Sequence, residues 1–482
     1  MHISGRLVVV AVGLGIYSQT VPATRIPDTA ASSIIEKDVV IVGGGASGAH
    51  AAVRLREDYG KSIVIIEKQD NLGGHVETYI DPVSGKPYDY GVNSYTEYGA
   101  AEEFFSRFNI SLQTPTRLTL TTTYADFNTG KVLDGYVAPL NANVTAGLQK
   151  YLEICEQYED LIIPSYANFP TEDIPEDLLL KFGDFVTKYG LEAIVPRVFQ
   201  VTGLGLGNVV DELTLYVMQA FGAPIVRTFL GLANSWVPTT KRNQDLYDNI
   251  ATLLGEDVLY STTVIRSHRS SNGTQLLVQD SNGKKTLLKA KRLLVSLSPT
   301  AANTRTLDLD QTEQSIFAEW GIDAVFAGIA NHPSLPVNYS IVNYPASVIP
   351  SNWLELPETP FVGRFEYLGD SNFRVLATGT EDYDIAKAQA LAQDAFDKLV
   401  ASGTIANATQ GQPLSFPAFA AHIGIHPHVS VDELQSGFYQ RLYALQGRRS
   451  TFFTGGAWAA DFTTILWEYN NQYLLPKLLG SL

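Results

Sequence analysis

Three glycines and one acid have the types and spacing best suited to chemistry. In Val39-Val40-Ile41-Val42-Gly43-Gly44-Gly45-Ala46-Ser47-Gly48, the residues Gly43, Gly45 and Gly48 fit a G-x-G-x-x-G spacing directly behind a β-branched run. Gly43 permits the sharp turn, and Gly45, followed by Ala46 and Ser47, lets backbone approach a pyrophosphate. Gly48 lets the next helix pack closely while its N-terminal dipole faces the phosphates. Glu67 follows Gly48 by 19 residues, where a second strand would end and a carboxylate could accept hydrogen bonds from ribose hydroxyls. Strand, glycine turn, helix and terminal acid together predict dinucleotide binding. The redox chemistry would then be carried by the bound group.

Two further glycine pairs extend the pattern. Leu72-Gly73-Gly74-His75 can bring backbone against the same pyrophosphate, and Phe452-Phe453-Thr454-Gly455-Gly456 reads as a strand ending in glycines. A helix starting near Phe462 or Thr463 would direct its dipole at an anion or a polarised carbonyl. Thr202-Gly203-Leu204-Gly205-Leu206-Gly207-Asn208 imitates a nucleotide turn, but its sixth position is Asn208 and no strand ending in an acid follows. It reads as a loop between helices. His422, His426 and His428 are the densest histidines, yet Pro427 and the lack of nearby acids in sequence favour a turn, and no metal site is expected. No Gly-x-Ser-x-Gly occurs, so serine-hydrolase chemistry has no support.

The elements that must position these residues follow from patterning. Asp38 to Glu67 reads as strand, glycine turn, a helix over 48–57 and a second strand over 62–67. A helical region rich in Tyr and Leu follows over about 100–236, then a strand-rich block over 258–298 whose hairpins are marked by Asn272-Gly273 and Asn282-Gly283. The interleaving implies a discontinuous nucleotide domain over 36–100, 240–310 and 421–482, with substrate-domain insertions at 101–239 and 311–420.

Composition narrows the partners. The 482-residue chain is 45% hydrophobic and carries a net charge of −16, which disfavours nucleic acid and anionic membranes and suits a small, largely apolar organic substrate. Its one cysteine, Cys155, allows no intramolecular disulfide and reads as a buried, inert thiol. Arg6, the apolar run from Leu7 to Tyr17 and the small residues to Ala23 have the layout of a signal peptide over 1–23, with a linker over 24–35. The apolar run is too short for a permanent membrane span. Sequons start at Asn109, Asn143, Asn272, Asn338 and Asn407. The expected location is the secretory pathway or the extracellular space, as a glycoprotein.

The fingerprint, Leu72-Gly73-Gly74-His75 and Phe453-Thr454-Gly455-Gly456 resemble the FAD-dependent amine oxidase and phytoene desaturase superfamily. The leader, His75 and Tyr90-Gly91-Val92-Asn93-Ser94-Tyr95 look most like the beta-cyclopiazonate dehydrogenase family of fungal flavoenzymes within it. The resemblance runs from about residue 36 to the end, strong in the glycine segments and poor between them. It implies an α/β architecture: a discontinuous Rossmann-like FAD-binding domain plus a mixed α+β substrate domain. It implies FAD, with the adenine held at the backbone of Val264, the ribityl and pyrophosphate by Gly455 and Gly456, and the flavin pyrimidine edge by Phe462, Thr463 and Thr464. Two positions depart from the amine oxidase pattern, which has Arg where His75 stands and an acid where Gly456 stands. The activity implied is hydride transfer to flavin N5 from a prenylated or terpenoid secondary metabolite, with oxidative ring closure and with oxygen or another acceptor taking the electrons. The alternatives are an amine oxidase producing peroxide, a redox-neutral double-bond isomerase of polyunsaturated fatty acids, and a flavin-binding protein without catalysis. Tyr95, Trp458 and Phe462 are pocket candidates, the latter two as one wall four residues apart. Lys241 is the nearest counterpart of the lysine that amine oxidases keep near N5.

Overall fold

The computed structural model describes residues 25–406 and 411–482, so the leader over 1–23 and the sequon at Asn407 lie outside the described residues. Its first sheet is assembled from three distant stretches of chain. The strand Ser33–Val42 pairs in parallel with Ile63–Ile66 on one side and with Lys285–Val295 on the other, and Val258–Leu259 extends the first edge. Thr451–Phe453 pairs in parallel with Leu293–Val295, while Gly273–Asp280 and Thr262–Ser270 add an antiparallel meander. Parallel strands covered on both faces read as unbroken apolar runs. Accordingly Val39–Val42 and Ile63–Ile66 are all buried, and each such side chain contributes roughly 1.5–3 kcal/mol relative to remaining exposed. The turns at Asn272-Gly273 and Asn282-Gly283 close the meander, with Gly273 and Gly283 at positive φ.

The first helix, Ala46–Val53, is held between this sheet and the C-terminal helix Thr463–Tyr469. Trp467 Nε1 donates to the Ala46 carbonyl at 3.1 Å, and Asn470 Nδ2 donates to the Ser47 carbonyl at 2.9 Å. Asn470 Oδ1 accepts from Thr454 at 2.8 Å. The glycine turn is thus fixed from behind by the last helical segment of the chain.

The second sheet has the strand order Ser415–Ile423, Asp323–Asn331, Asn372–Thr380, Phe361–Gly369, Tyr339–Asn343, Thr121–Asp126 and Lys131–Val132. Helix Ile385–Ala401 covers one face through Ala388, Ala392, Phe396 and Leu399. The remaining insertion is helical, led by Asn141–Ile162. Cys155 lies buried in that helix, and burial pushes its thiol up.

Several local expectations are corrected. The stretch over 24–35 is not a linker where it is described: Ile26 is buried with its N–H on Gln275 Oε1 at 3.0 Å, and Ser33 to Ile35 already pair with Thr286 to Leu288. Polar, Pro-containing composition was overridden by tertiary pairing. The first helix ends at Val53 and passes into a π-helical turn, Arg54–Asp58, and the second strand is Ile63–Ile66. The mainly helical region also supplies the strands Thr121–Asp126 and Lys131–Val132. The segment over 202–206 is not a loop but a helical passage, Phe199–Gly203 continuing into Leu204–Leu206, and only 207 and 208 bend away from it. Among the described residues no helix is long and apolar enough to cross a membrane.

Candidate active site

The glycine turns form one cradle. Gly43 has φ +99°, and a methyl group at Gly48 would sit 2.0 Å from the Gly43 carbonyl oxygen, so both positions require glycine for the fold itself. Gly45 and Gly73 form a backbone bridge, Gly73 N–H donates to the Gly44 carbonyl at 3.0 Å, and a methyl at Gly74 would reach 2.9 Å from Gly45 Cα. The two loops therefore meet backbone to backbone. Glu67 is buried at the end of its strand and accepts from Gly44 N–H at 2.7 Å and from Gln69 N–H at 2.9 Å. The Glu67 carbonyl accepts from Thr262 N–H at 2.9 Å, which places the strand carrying Val264 beside the acid. Val264 itself sits at a β-bulge and is half-buried.

This arrangement fits a dinucleotide. The hydroxyls of Ser47 and Thr464 are buried donors without a partner, and a side chain at Gly455 would meet nothing within 4 Å. Phe462 caps the helix beginning at Thr463 and is half-buried, while Thr463 and Thr464 are buried in its first turn. At Gly456 the structure explains the missing acid. A methyl there would lie 3.0 Å from Asp461 Cγ and 2.9 Å from the Ile425 carbonyl oxygen. Asp461 occupies the space an acid at 456 would need, and burial raises its carboxyl to about 7.

Next to the cradle lies a group of titratable side chains. The His75 ring stacks on His422 at 4.2 Å, and His422 Nε2 is 3.2 Å from Glu77 Oε2. His426 is buried, its Nδ1 without a partner, and a methyl at Gly205 would strike its ring at 2.4 Å. The middle glycine of the imitation nucleotide motif thus makes room for an imidazole. Burial lowers His75 to about 3 and both His422 and His426 to about 4, and it raises Glu77 to about 7. Near neutral pH these imidazoles are uncharged and the carboxyl is poised to exchange a proton.

Contrary to the expectation from sequence, the histidines over 422–428 have acids beside them. Glu77 reaches His422 from 345 residues away, and Glu212, Asp323 and His428 bring ligand-type atoms within 4.8 Å of one another. Sequence proximity carries no trace of either set.

Other candidates are relocated. Tyr95 is 1% exposed, packed on Phe105 at 4.8 Å with its hydroxyl donating to the Asn243 carbonyl at 3.2 Å. Trp458 is fully buried and stacks on Phe453 at 5.0 Å. Both are core residues, and Trp458 does not share a helical wall with Phe462. Lys241 is exposed on a turn with φ +60°, which leaves it without the burial that makes a lysine basic site reactive.

Residues 41–108 match an NAD(P)-binding Rossmann-like domain family. The chain is 35% identical over 467 residues to the FAD-dependent oxidoreductase pigF of Monascus ruber, covering 94% of each protein. It is 32% identical over 451 residues to the beta-cyclopiazonate dehydrogenase of Aspergillus flavus, covering 93% of this chain and 94% of that one. The chain belongs to this family of FAD-dependent oxidoreductases. The oxidoreductase also shares its fold with the CLA-producing fatty acid isomerase of P. acnes, at a TM-score of 0.69 and 17% identity over 91% of this chain and 98% of that one. FAD is its cofactor, and the family assignment and the glycine cradle agree on it.

Proposed function

We propose that the oxidoreductase takes a hydride from an allylic, benzylic or amine-adjacent carbon of a small, largely apolar secondary metabolite of prenylated or terpenoid type. Bound flavin supplies the two-electron acceptor at N5, and oxygen or another acceptor removes the electrons. Hydride loss leaves a cation on the substrate. A proton lost to Glu77 turns that cation into a conjugated alkene, or attack by an internal nucleophile that sheds its proton to Glu77 closes a ring. The observation that carries this reading is the group formed by His75 and Glu77, just after the second glycine pair, with the buried His422 and His426. It provides a proton acceptor largely screened from bulk water.

Purified protein should show a flavin absorbance spectrum that bleaches on anaerobic titration with a prenylated indole or terpenoid precursor. No bleaching with any such precursor would overturn the reading, and product formation without bleaching or oxygen use would assign a double-bond isomerase instead. A secretory or extracellular location also belongs to this proposal, supported by the N-terminal layout and by the exposure of Asn109, Asn143, Asn272 and Asn338.

A further inference from the structure

Along the second sheet, three guanidinium groups bear on a single carboxylate, and a fourth stands beside one of them. Arg364 and Arg374, on adjacent strands, approach Glu366 Oε2 at 3.2 Å and 3.3 Å. The charge of Arg117 also bears on Glu366. Arg117 and Arg197 make no ion pair and no side-chain hydrogen bond among the described residues. Each lies over the Phe229 ring instead, with Cζ at 5.8 Å and 5.6 Å from its centroid. Arg117 is exposed and can be hydrated, but Arg197 is half-buried, and burial followed by the like charge of Arg117 lowers its pKa.

Three tyrosines stand beside this pair. The rings of Tyr124, Tyr136 and Tyr344 lie 4.7 to 5.8 Å from one another. The hydroxyls of Tyr136 and Tyr344 are buried without a hydrogen-bond partner, and Tyr344 is 0% exposed. Gln200 lies near the Tyr344 hydroxyl without completing a bond of good geometry.

An excess of partly desolvated arginines is costly to hold together, and here it occurs in a chain whose net charge is −16. Planar guanidinium forks and phenol donors together form the donor set that recognises a delocalised oxyanion. The cluster also connects to the redox site. Arg374 donates to the Asp89 carbonyl at 2.6 Å, and Gly91, two residues on, packs against the His75 carbonyl.

We propose that Arg117 and Arg197, with the Tyr136 and Tyr344 hydroxyls, bind an oxyanion, a carboxylate or an enolate, at one end of an otherwise apolar substrate. This inference rests on the oxidoreductase reading and adds a substrate class to it.

The test uses FAD-loaded protein titrated by calorimetry with three probes of equal chain length: dodecanoate, dodecanol, and a 2-acyl-1,3-cyclohexanedione that is an enolate at neutral pH. At least one anion should bind about tenfold tighter than the alcohol or better. Which anion it is separates carboxylate from enolate recognition. Arg197→Met and Arg117→Met should each remove most of that preference while leaving dodecanol affinity unchanged. Should Arg197→Met fail to fold, the exposed Arg117→Met and Tyr344→Phe carry the test. The absence of any anion preference in the unmodified protein, or its survival in the variants, would overturn the inference. Flavin bleaching by precursors is followed in the same preparations. Its failure with anion preference intact strikes the oxidoreductase reading, and its success without anion preference strikes only this inference.

Discussion

At the scale of residues, Glu77 decides most. Its carboxyl is raised to about 7 by burial, so the charged form that can take a proton predominates only above that pH. His422 is lowered to about 4, so it stays neutral throughout and shares one hydrogen bond with the carboxyl. The apparent value belongs to the pair. Because the cation returns its hydride unless proton loss to Glu77 drains it, the net rate of flavin reduction by substrate is expected to rise with pH through about 7 and then level off. Glu77→Gln should slow it roughly 100-fold or more and flatten the profile. Stopped-flow reduction of the two proteins between pH 5.5 and about 8.5 checks this; an unchanged profile in the variant would assign the proton to another group. The same carboxyl shows why part of the site was hidden in the sequence. An acid and an imidazole 345 positions apart become partners only because the fold brings the strand Ser415–Ile423 to the segment after the second glycine pair. Tyr95 and Trp458 were legible as large aromatics but not as core, because an aromatic lining a slot and one filling a core are the same residue type with the same neighbours in sequence.

At the scale of elements, the glycine turn separates what the fold needs from what the cofactor needs. Gly48→Ala would drive its methyl to 2.0 Å from the Gly43 carbonyl, displacing the turn or the helix Ala46–Val53. A methyl at Gly45 would meet only Gly74 Cα at 3.6 Å, an ordinary contact. Gly48→Ala is expected to lower the melting temperature of the FAD-free protein by about 2 °C or more, given roughly 2 kcal/mol of strain in a chain of this size. Gly45→Ala should leave that temperature nearly unchanged and still lose FAD, because the lost space is where the pyrophosphate backbone approach occurs. Differential scanning calorimetry and flavin content after reconstitution measure the two effects, and equal losses of stability would refute the distinction. These turns were legible in the sequence because a local steric demand selects glycine whatever surrounds it. The strand from Ser33 was not, since its pairing partner begins at Thr286 and the local composition reads as a connector. The glycine at 205, which the sequence sets apart from the nucleotide turns without giving it a purpose, is selected by the His426 ring.

At the scale of the whole molecule, the distribution of sequons bears on where the protein works. The four described sequon asparagines all face solvent, although they come from different parts of the fold. Asn109 follows the helix Ala101–Arg107 at φ +55°, Asn272 lies in the meander hairpin and Asn338 precedes the strand Tyr339–Asn343 at φ +65°. Asn143 is in the first turn of the long helix Asn141–Ile162. A bulky, hydrated glycan is tolerated where the asparagine is exposed and not engaged in packing, and none of these positions conflicts with the cradle or the titratable group. Expressed with its own N-terminus in a fungal host, the protein is expected in the medium, carrying glycans that peptide N-glycosidase F removes with a downward shift on a gel. Replacing the four asparagines by glutamine should abolish most of that shift while leaving the flavin spectrum intact, because no sequon contributes to the cofactor cradle. Retention in the cytosol with no mass change on enzymatic treatment would remove the secretory part of the proposal. The assignment as an FAD-dependent oxidoreductase would stand, since the glycine cradle owes nothing to the compartment in which it folds.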